Sequence, residues 1–469
     1  MCLRRANRLS SYLSPNVKSL GRIRSLLAQQ KVTSRQLVEE ALAAINDRNG
    51  EGSRTFLRVY DEEALAAADR ADAKLRSSST AAPLCGIPIS IKDLFDEAGV
   101  VTLAGSTVLI DSPPAKRDST VVTRLKNAGA IIVGRTNMTE FAYSALGINP
   151  HYGTPKNKFD RAGGRIPGGS TSGGAISVAD GMAAAAVGTD TGGSVRIPAA
   201  LNGLVGFKPT ARRVPGDGVF PLSTTLDSIG PIANNAADCL LLDAILTDEV
   251  SVTPVHELTG LTFAVPRSVV QEDLSPAVAT AFETALKKLS GAGAKITEIA
   301  MKEFTRAAEV NPRGAISSYE SWKLHAQWIR QRREQYDPRV LARILPGEAI
   351  TDSAYRQILK ARDVFVRDVS SAAEGYDALL MPTVPDTAPT IAEATKDDET
   401  YFRINGRMLR NPSIVNLFDG CALSVPCHHK GDAPVGLMIV GVQNADRHIL
   451  SFGPAVAKVV FDAETGDDV

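Results

Sequence analysis

Residues 168–174 read Gly-Gly-Ser-Thr-Ser-Gly-Gly, and residues 188–196 read Gly-Thr-Asp-Thr-Gly-Gly-Ser-Val-Arg. From Pro167 to Pro209 the chain is rich in Gly, Ser, Thr and Ala and nearly free of charge. A flexible Gly/Ser linker would lack the apolar run Gly181 to Val187 and the later Val195, Ile197, Leu201, Leu204, Val205 and Phe207. The stretch therefore reads as two glycine-rich loops joined by a small-residue helix and a strand. Glycine lets a ligand approach the main chain closely. Successive N–H groups in such a turn form an anion-binding nest, here beside serine hydroxyls.

Several chemistries use such a nest, and the sequence excludes most of them. No Lys follows either glycine cluster, so the phosphate-binding pattern G-x-x-x-x-G-K-[ST] is absent. The G-x-S-x-G elbow and the H-E-x-x-H zinc motif are missing too. None of the six histidines falls in the glycine-rich stretch. A serine nucleophile here needs another base, and Ser-Lys arrangements supply one. Lys92 fits, because the strand Gly86-Ile87-Pro88-Ile89-Ser90-Ile91 delivers it to an interior sheet end. Burial disfavours the charged amine and lowers its pKa. Moving a lysine from about 10.4 to near 7 costs about 4–5 kcal/mol, which a lone strand-end ion pair would not require.

Outward from these loops, short apolar runs alternate with helical patterns, which predicts an α/β fold with helices on a largely buried sheet. Strands are expected at Ile87 to Ile91, Ala130 to Gly134, Leu261 to Val265, Lys295 to Ile299, Ala378 to Met381, Ala422 to Val425 and Val435 to Val440. Helices are expected at Glu62 to Leu75, Thr120 to Asn127 and Pro276 to Leu289. Trp322 to Arg362 is helical, interrupted at Pro338 and Pro346, and reads as a layer or lid over a pocket.

Lys plus Arg and Asp plus Glu number 52 each, so no global field favours nucleic acid or an acidic membrane. No apolar run reaches the length of a membrane span. The five cysteines are scattered and form no C-x-x-C pair, which fits inert thiols in a reducing compartment. Cys427-His428-His429 has no fourth ligand at metal-site spacing. Before Glu39 the chain carries only basic charges, including Arg4, Arg5, Arg8, Lys18, Arg22 and Arg24. That opening fits either an organelle transit peptide or a basic amphipathic first helix over Ser19 to Asn46, with a cap at Thr33-Ser34.

Gly86 to Asp93, Gly168 to Gly174 and Gly188 to Pro198, in that order, resemble the motifs of the amidase signature family. The resemblance extends over Ser19 to Ala457 and includes Ile131 to Met138 and Pro434 to Leu437. It implies α/β/α layers around a large mixed central sheet, with a signature core over 80–240 and helical lid or peripheral helices over 303–372. One amidase domain over 19–469 would follow an N-terminal extension, residues 1–18.

The resemblance further implies hydrolysis of a carboxylic amide through an acyl-enzyme on a Ser-Ser-Lys triad. Ser194 takes the nucleophile's place, Ser170 that of a bridging serine on a cis peptide, and Lys92 that of the base. Thr191, Gly192, Gly193 and Ser194 would supply oxyanion-hole N–H groups. Asp190 and Arg196 stand as orienting residues or, equally, as a local structural ion pair. The chain departs from the family at Thr171, where many members have serine, at Ser172 for glycine, and at Met438 for glutamine.

An amidase subunit of a tRNA-dependent amidotransferase shares this triad and is the alternative reading. Such subunits place an acidic residue where Leu409 stands, between Arg407 and Arg410, and Tyr336 to Arg339 resembles free-standing amidases better. An inactive scaffold is the remaining reading, and the filled triad counts against it. Phe141, Tyr143 and Trp322, with Tyr152 and Trp328, are candidates for an apolar pocket or for the core. The expected setting is a cytoplasmic enzyme acting on a small amide, without cofactor, metal or membrane, as a monomer or homodimer. Nucleic acid enters only under the amidotransferase reading.

Overall fold

The computed structural model of the protein describes residues 19–77 and 81–461, so the extension over 1–18 lies outside the described residues. In chain order the strands are β1 (Phe56–Val59), β2 (Pro88–Lys92), β3 (Ile131–Thr136), β4 (Ala185–Asp190), β5 (Val205–Lys208) and β6 (Ser228–Ala233). They continue as β7 (Thr262–Pro266), β8 (Lys295–Ile299), β9 (Ala378–Pro382), β10 (Cys421–Pro426) and β11 (Gly436–Gly441). All lie in one sheet, in the order β1-β3-β2-β4-β6-β5-β10-β11-β9-β7-β8.

The sheet is mixed. β2 runs parallel to β3 and β4, and β7 parallel to β8 and β9. The intervening strands from β4 through β9 pair antiparallel. Every residue of β2 to β6 and of β9 to β11 is buried. Continuous apolar runs without alternation require cover on both faces. The edges differ: β1 and β8 are only partly covered, with Arg58 on β1 and Lys295 and Glu298 on β8 exposed, which suits unpaired strand edges.

The first helical segment is two helices, Leu20–Ala28 and Ser34–Ile45, where a single helix over Ser19 to Asn46 was expected. Gln30 takes a left-handed φ of 54° between them. Thr33 and Gln36 then form a reciprocal capping box that starts the second helix. Asp238 accepts from the Leu20 N–H at 3.0 Å and so anchors the first helix to the body.

The expected helical layer comprises Lys302–Arg306, Ala307–Val310, Ala315–Arg332, Pro338–Ile344 and Asp352–Ala372. Pro338 starts a helix instead of breaking one, since a first-turn proline needs no N–H partner and Asp337 caps it. No described helix is long and apolar enough to cross a membrane.

Candidate active site

β2 ends at Lys92 with parallel neighbours on both sides, so the amine emerges inside the protein. The next residue fixes that strand end. Asp93 is paired with Arg135 at 2.8 Å, both buried, and the Gly105 N–H also donates to it at 3.2 Å. Lys92 itself is fully buried and touches no carboxylate. Its Nζ lies 2.8 Å from Ser170 Oγ, 2.9 Å from Thr189 Oγ1 and 3.5 Å from the Thr189 carbonyl. Burial pushes its pKa down to about 7, against the weaker pull of Asp227 and Asp190. In a neutral amine the two N–H bonds can go to the Thr189 oxygens, which leaves the lone pair facing Ser170.

Ser170 follows a cis peptide bond with Gly169 and is fully buried. Thr171, the next residue, donates its N–H to the Ser194 carbonyl at 3.2 Å, so the two glycine-rich loops are joined by main chain. No described hydrogen bond joins the Ser170 and Ser194 hydroxyls directly. Two glycines make the approach feasible. A Cβ on Gly188 would stand 2.5 Å from Thr171 Cγ2. Gly193 has a φ of 126°, and a Cβ there would lie 2.5 Å from Ile197 Cδ1 and 2.7 Å from Pro412 Cβ.

Asp190 organises the second loop. Its carboxylate accepts from the N–H groups of Gly193 (2.8 Å), Val195 (3.1 Å) and Arg196 (3.3 Å). The Arg196 guanidinium grips it at 2.9 and 3.0 Å, and both side chains are fully buried. Burial alone would raise the Asp190 carboxyl, but Arg196 outweighs it and holds it below the ordinary carboxylate range. This arrangement changes the expectation for the oxyanion donors. The Gly193 N–H is committed to Asp190, whereas those of Thr191, Gly192 and Ser194 have no partner among the described hydrogen bonds.

Three further residues went unrecognised in the sequence. Thr189 faces Lys92, as above. Asn416 accepts from Arg196 Nη2 at 2.6 Å and donates to Asp190 Oδ1 at 3.0 Å, across more than 200 residues of chain. Asp227 accepts from Thr191 Oγ1 at 2.5 Å and from the N–H groups of Leu222 and Ser223. Burial raises the Asp227 carboxyl to about 6. Nothing in its local sequence distinguishes Asp227 from a surface turn residue.

A cavity of about 430 Å³ opens onto Ser194, Thr191 and Gly192. The helical layer closes it with Phe304, Ala307, Asn311 and Ser317, while Leu409, Ser413 and Leu417 of helix Asp398–Leu417 form another wall. Of the aromatic candidates, Tyr143 lines this space, with Arg343 stacked 4.4 Å above its ring. Phe141 and Trp322 do not. Phe141 is buried against His325 at 4.3 Å and Phe220 and Tyr336 at 5.5 Å, and Trp322 packs on the core beside Gly347. Aromatic identity alone does not tell which way a ring faces.

The chain matches the amidase family model over residues 36–450. It is 34% identical to a 2-amino-5-chloromuconic acid deaminase of Comamonas testosteroni, covering 85% of this chain and 86% of that one. It is also 34% identical to a glutamyl-tRNA(Gln) amidotransferase subunit of Chromohalobacter salexigens, covering 92% of this chain and 94% of that one. A crystal structure of an amidase superposes with a TM-score of 0.83 at 31% identity, covering 94% of this chain and 99% of that one.

Proposed function

This chain belongs to the amidase family and hydrolyses amide carbon–nitrogen bonds, and we propose that Lys92, Ser170 and Ser194 carry out that reaction. The observation that carries the assignment is the 2.8 Å contact of a buried amine, lowered to about 7, with the Ser170 hydroxyl.

Neutral Lys92 accepts the Ser170 proton while Ser170 accepts that of Ser194, and Ser194 Oγ attacks the amide carbon. Catalytic hydrogen bonds often tighten only once substrate is bound, which suits the link from Ser194 to Ser170. Charge developing on the carbonyl oxygen meets the free N–H groups of Thr191, Gly192 and Ser194. Each such donor is worth about 10²–10³ in rate. The C–N bond then breaks, the proton passes back along the relay to the departing amine or ammonia, and water resolves the acyl-Ser194 ester. Asp190 and Arg196 act by positioning the loop and touch no substrate.

Covalent labelling of Ser194 by a fluorophosphonate, with burst release of product, tests the reading. An intact protein whose Ser194→Ala variant retains normal turnover overturns it.

Whole-chain similarity to the amidotransferase relative supports a second reading, in which the ammonia is passed on. The cavity counts against it. Its lining holds no Asp or Glu to receive a glutamine α-ammonium, and Leu409 stands in the wall at the position in question. A free-standing enzyme on small amides is the better fit. Buried free thiols at Cys85, Cys239, Cys421 and Cys427 fit a reducing, cytoplasmic setting.

A further inference from the structure

The charges on the cavity wall are of one sign. Arg313, Arg343 and Arg410 line it, and its lining contains no carboxylate. None of the three is ion-paired among the described residues, although neighbouring Arg407 is bound by Asp273 and Asp386. Arg343 donates to the Tyr143 carbonyl at 2.9 Å. Arg410 Nε donates to Asn411 Oδ1 at 3.0 Å, while its Nη2 is buried with no hydrogen-bond partner. A guanidinium in a cavity wall without an ion partner is costly to desolvate, and its planar fork pairs best with a carboxylate. Burial and Arg407 work against the Arg410 charge, Glu272 and Asp273 outside the cavity favour it, and a bound anion would add to their effect.

Position limits the size of that anion's spacer. Arg410 lies on the helix whose Leu409, Pro412 and Ser413 meet the Gly192-Gly193 loop. Resting on the assignment of Ser194 as nucleophile, we infer that the substrate is a short amide bearing a carboxylate, whose carboxylate is held by Arg410 with Arg313 and Arg343 lining the same cavity. The half-amide of a short dicarboxylic acid has this form. Its C–N bond breaks as the acyl-Ser194 ester forms, ammonia leaves with the relayed proton, and water releases the dicarboxylate.

The test compares glutaramate with uncharged valeramide on the full-length protein, and measures protection of Ser194 from a fluorophosphonate by glutarate. Glutaramate should show kcat/KM at least about tenfold above valeramide, chiefly through KM. Arg410→Met should erase the ratio between the two kcat/KM values and the protection by glutarate, and Arg410→Lys should restore part of both. Arg313→Met should weaken protection by glutarate. Equal turnover of the two amides, or glutarate protection no better than that of neutral glutaramide, overturns the inference and leaves the amidase assignment standing. A Ser194 that no fluorophosphonate labels overturns the assignment itself, and this inference with it.

Discussion

Lys92 Nζ stands 2.8 Å from Ser170 Oγ at the end of a fully buried strand, without a carboxylate in contact. Ion pairing would keep the amine charged and useless as a base. Burial does the opposite and lowers it to about 7. If the proposed relay needs the free base, kcat/KM should rise with pH, reach half its plateau near 7 and stay flat above. A rate profile independent of pH between about 5.5 and 8.5 would contradict this.

Asp227 opposes that shift, since its negative charge favours the ammonium form of Lys92. Asp227→Asn should therefore move the acid limb of the profile to lower pH. The same change weakens the bond from Thr191 Oγ1, now 2.5 Å, so the plateau should fall as the Thr191–Ser194 loop loosens. A variant with a lower plateau but an unmoved limb would mean that Asp227 acts on the loop alone.

Asp190 and Arg196 are both fully buried and paired at 2.9 Å. Removing one member of such a pair leaves an uncompensated charge and typically costs about 3–5 kcal/mol. Asp190→Ala should lose that much in denaturant melts and also release the Gly193 and Val195 N–H groups, so kcat should fall. Arg196→Lys should also lose stability although it keeps the charge. Arg196 Nη2 alone reaches Asp190, Asn416 and the Pro412 carbonyl, a fork that an ammonium cannot copy.

The parts of this site that were legible in the sequence are those that one local stretch encodes. Lys92 could be singled out because an uninterrupted apolar strand precedes it; the glycines around Ser170, Ser172 and Ser194 marked the loops, and the resemblance to the family's motifs picked Ser170 and Ser194 among them. Thr189 carries no such sign: only the pairing of β2 with β4 turns it towards the lysine. Asn416 and Asp227 reach the site through long-range packing, for which spacing gives no cue. Most strand runs were readable for the same local reason, whereas β1, β5 and β6 were not among the strands expected. The antiparallel insertion of β6 and β5 between β4 and β10 was not readable, because sheet order depends on contacts between distant segments.

Met438 sits where the family often has glutamine, and its Sδ lies 3.2 Å from Arg196 Nη1 in a fully buried position. A thioether is a weak acceptor for a charged donor, and an amide oxygen is a better one. Met438→Gln nearly conserves volume and would supply that oxygen on a strand, β11, already packed on both faces. A hydrogen bond to a charged group contributes about 1.5–3 kcal/mol, from which burial of the remaining amide N–H₂ must be subtracted. The outcome turns on whether that N–H₂ finds an acceptor. The Pro412 carbonyl already serves Arg196 at 3.1 Å and has a second lone pair. Met438→Gln should therefore gain up to about 1 kcal/mol in denaturant melts, with turnover at least equal to that of the parent. A loss of stability would mean that the thioether is the better partner for this guanidinium, with the surrounding core adapted to it.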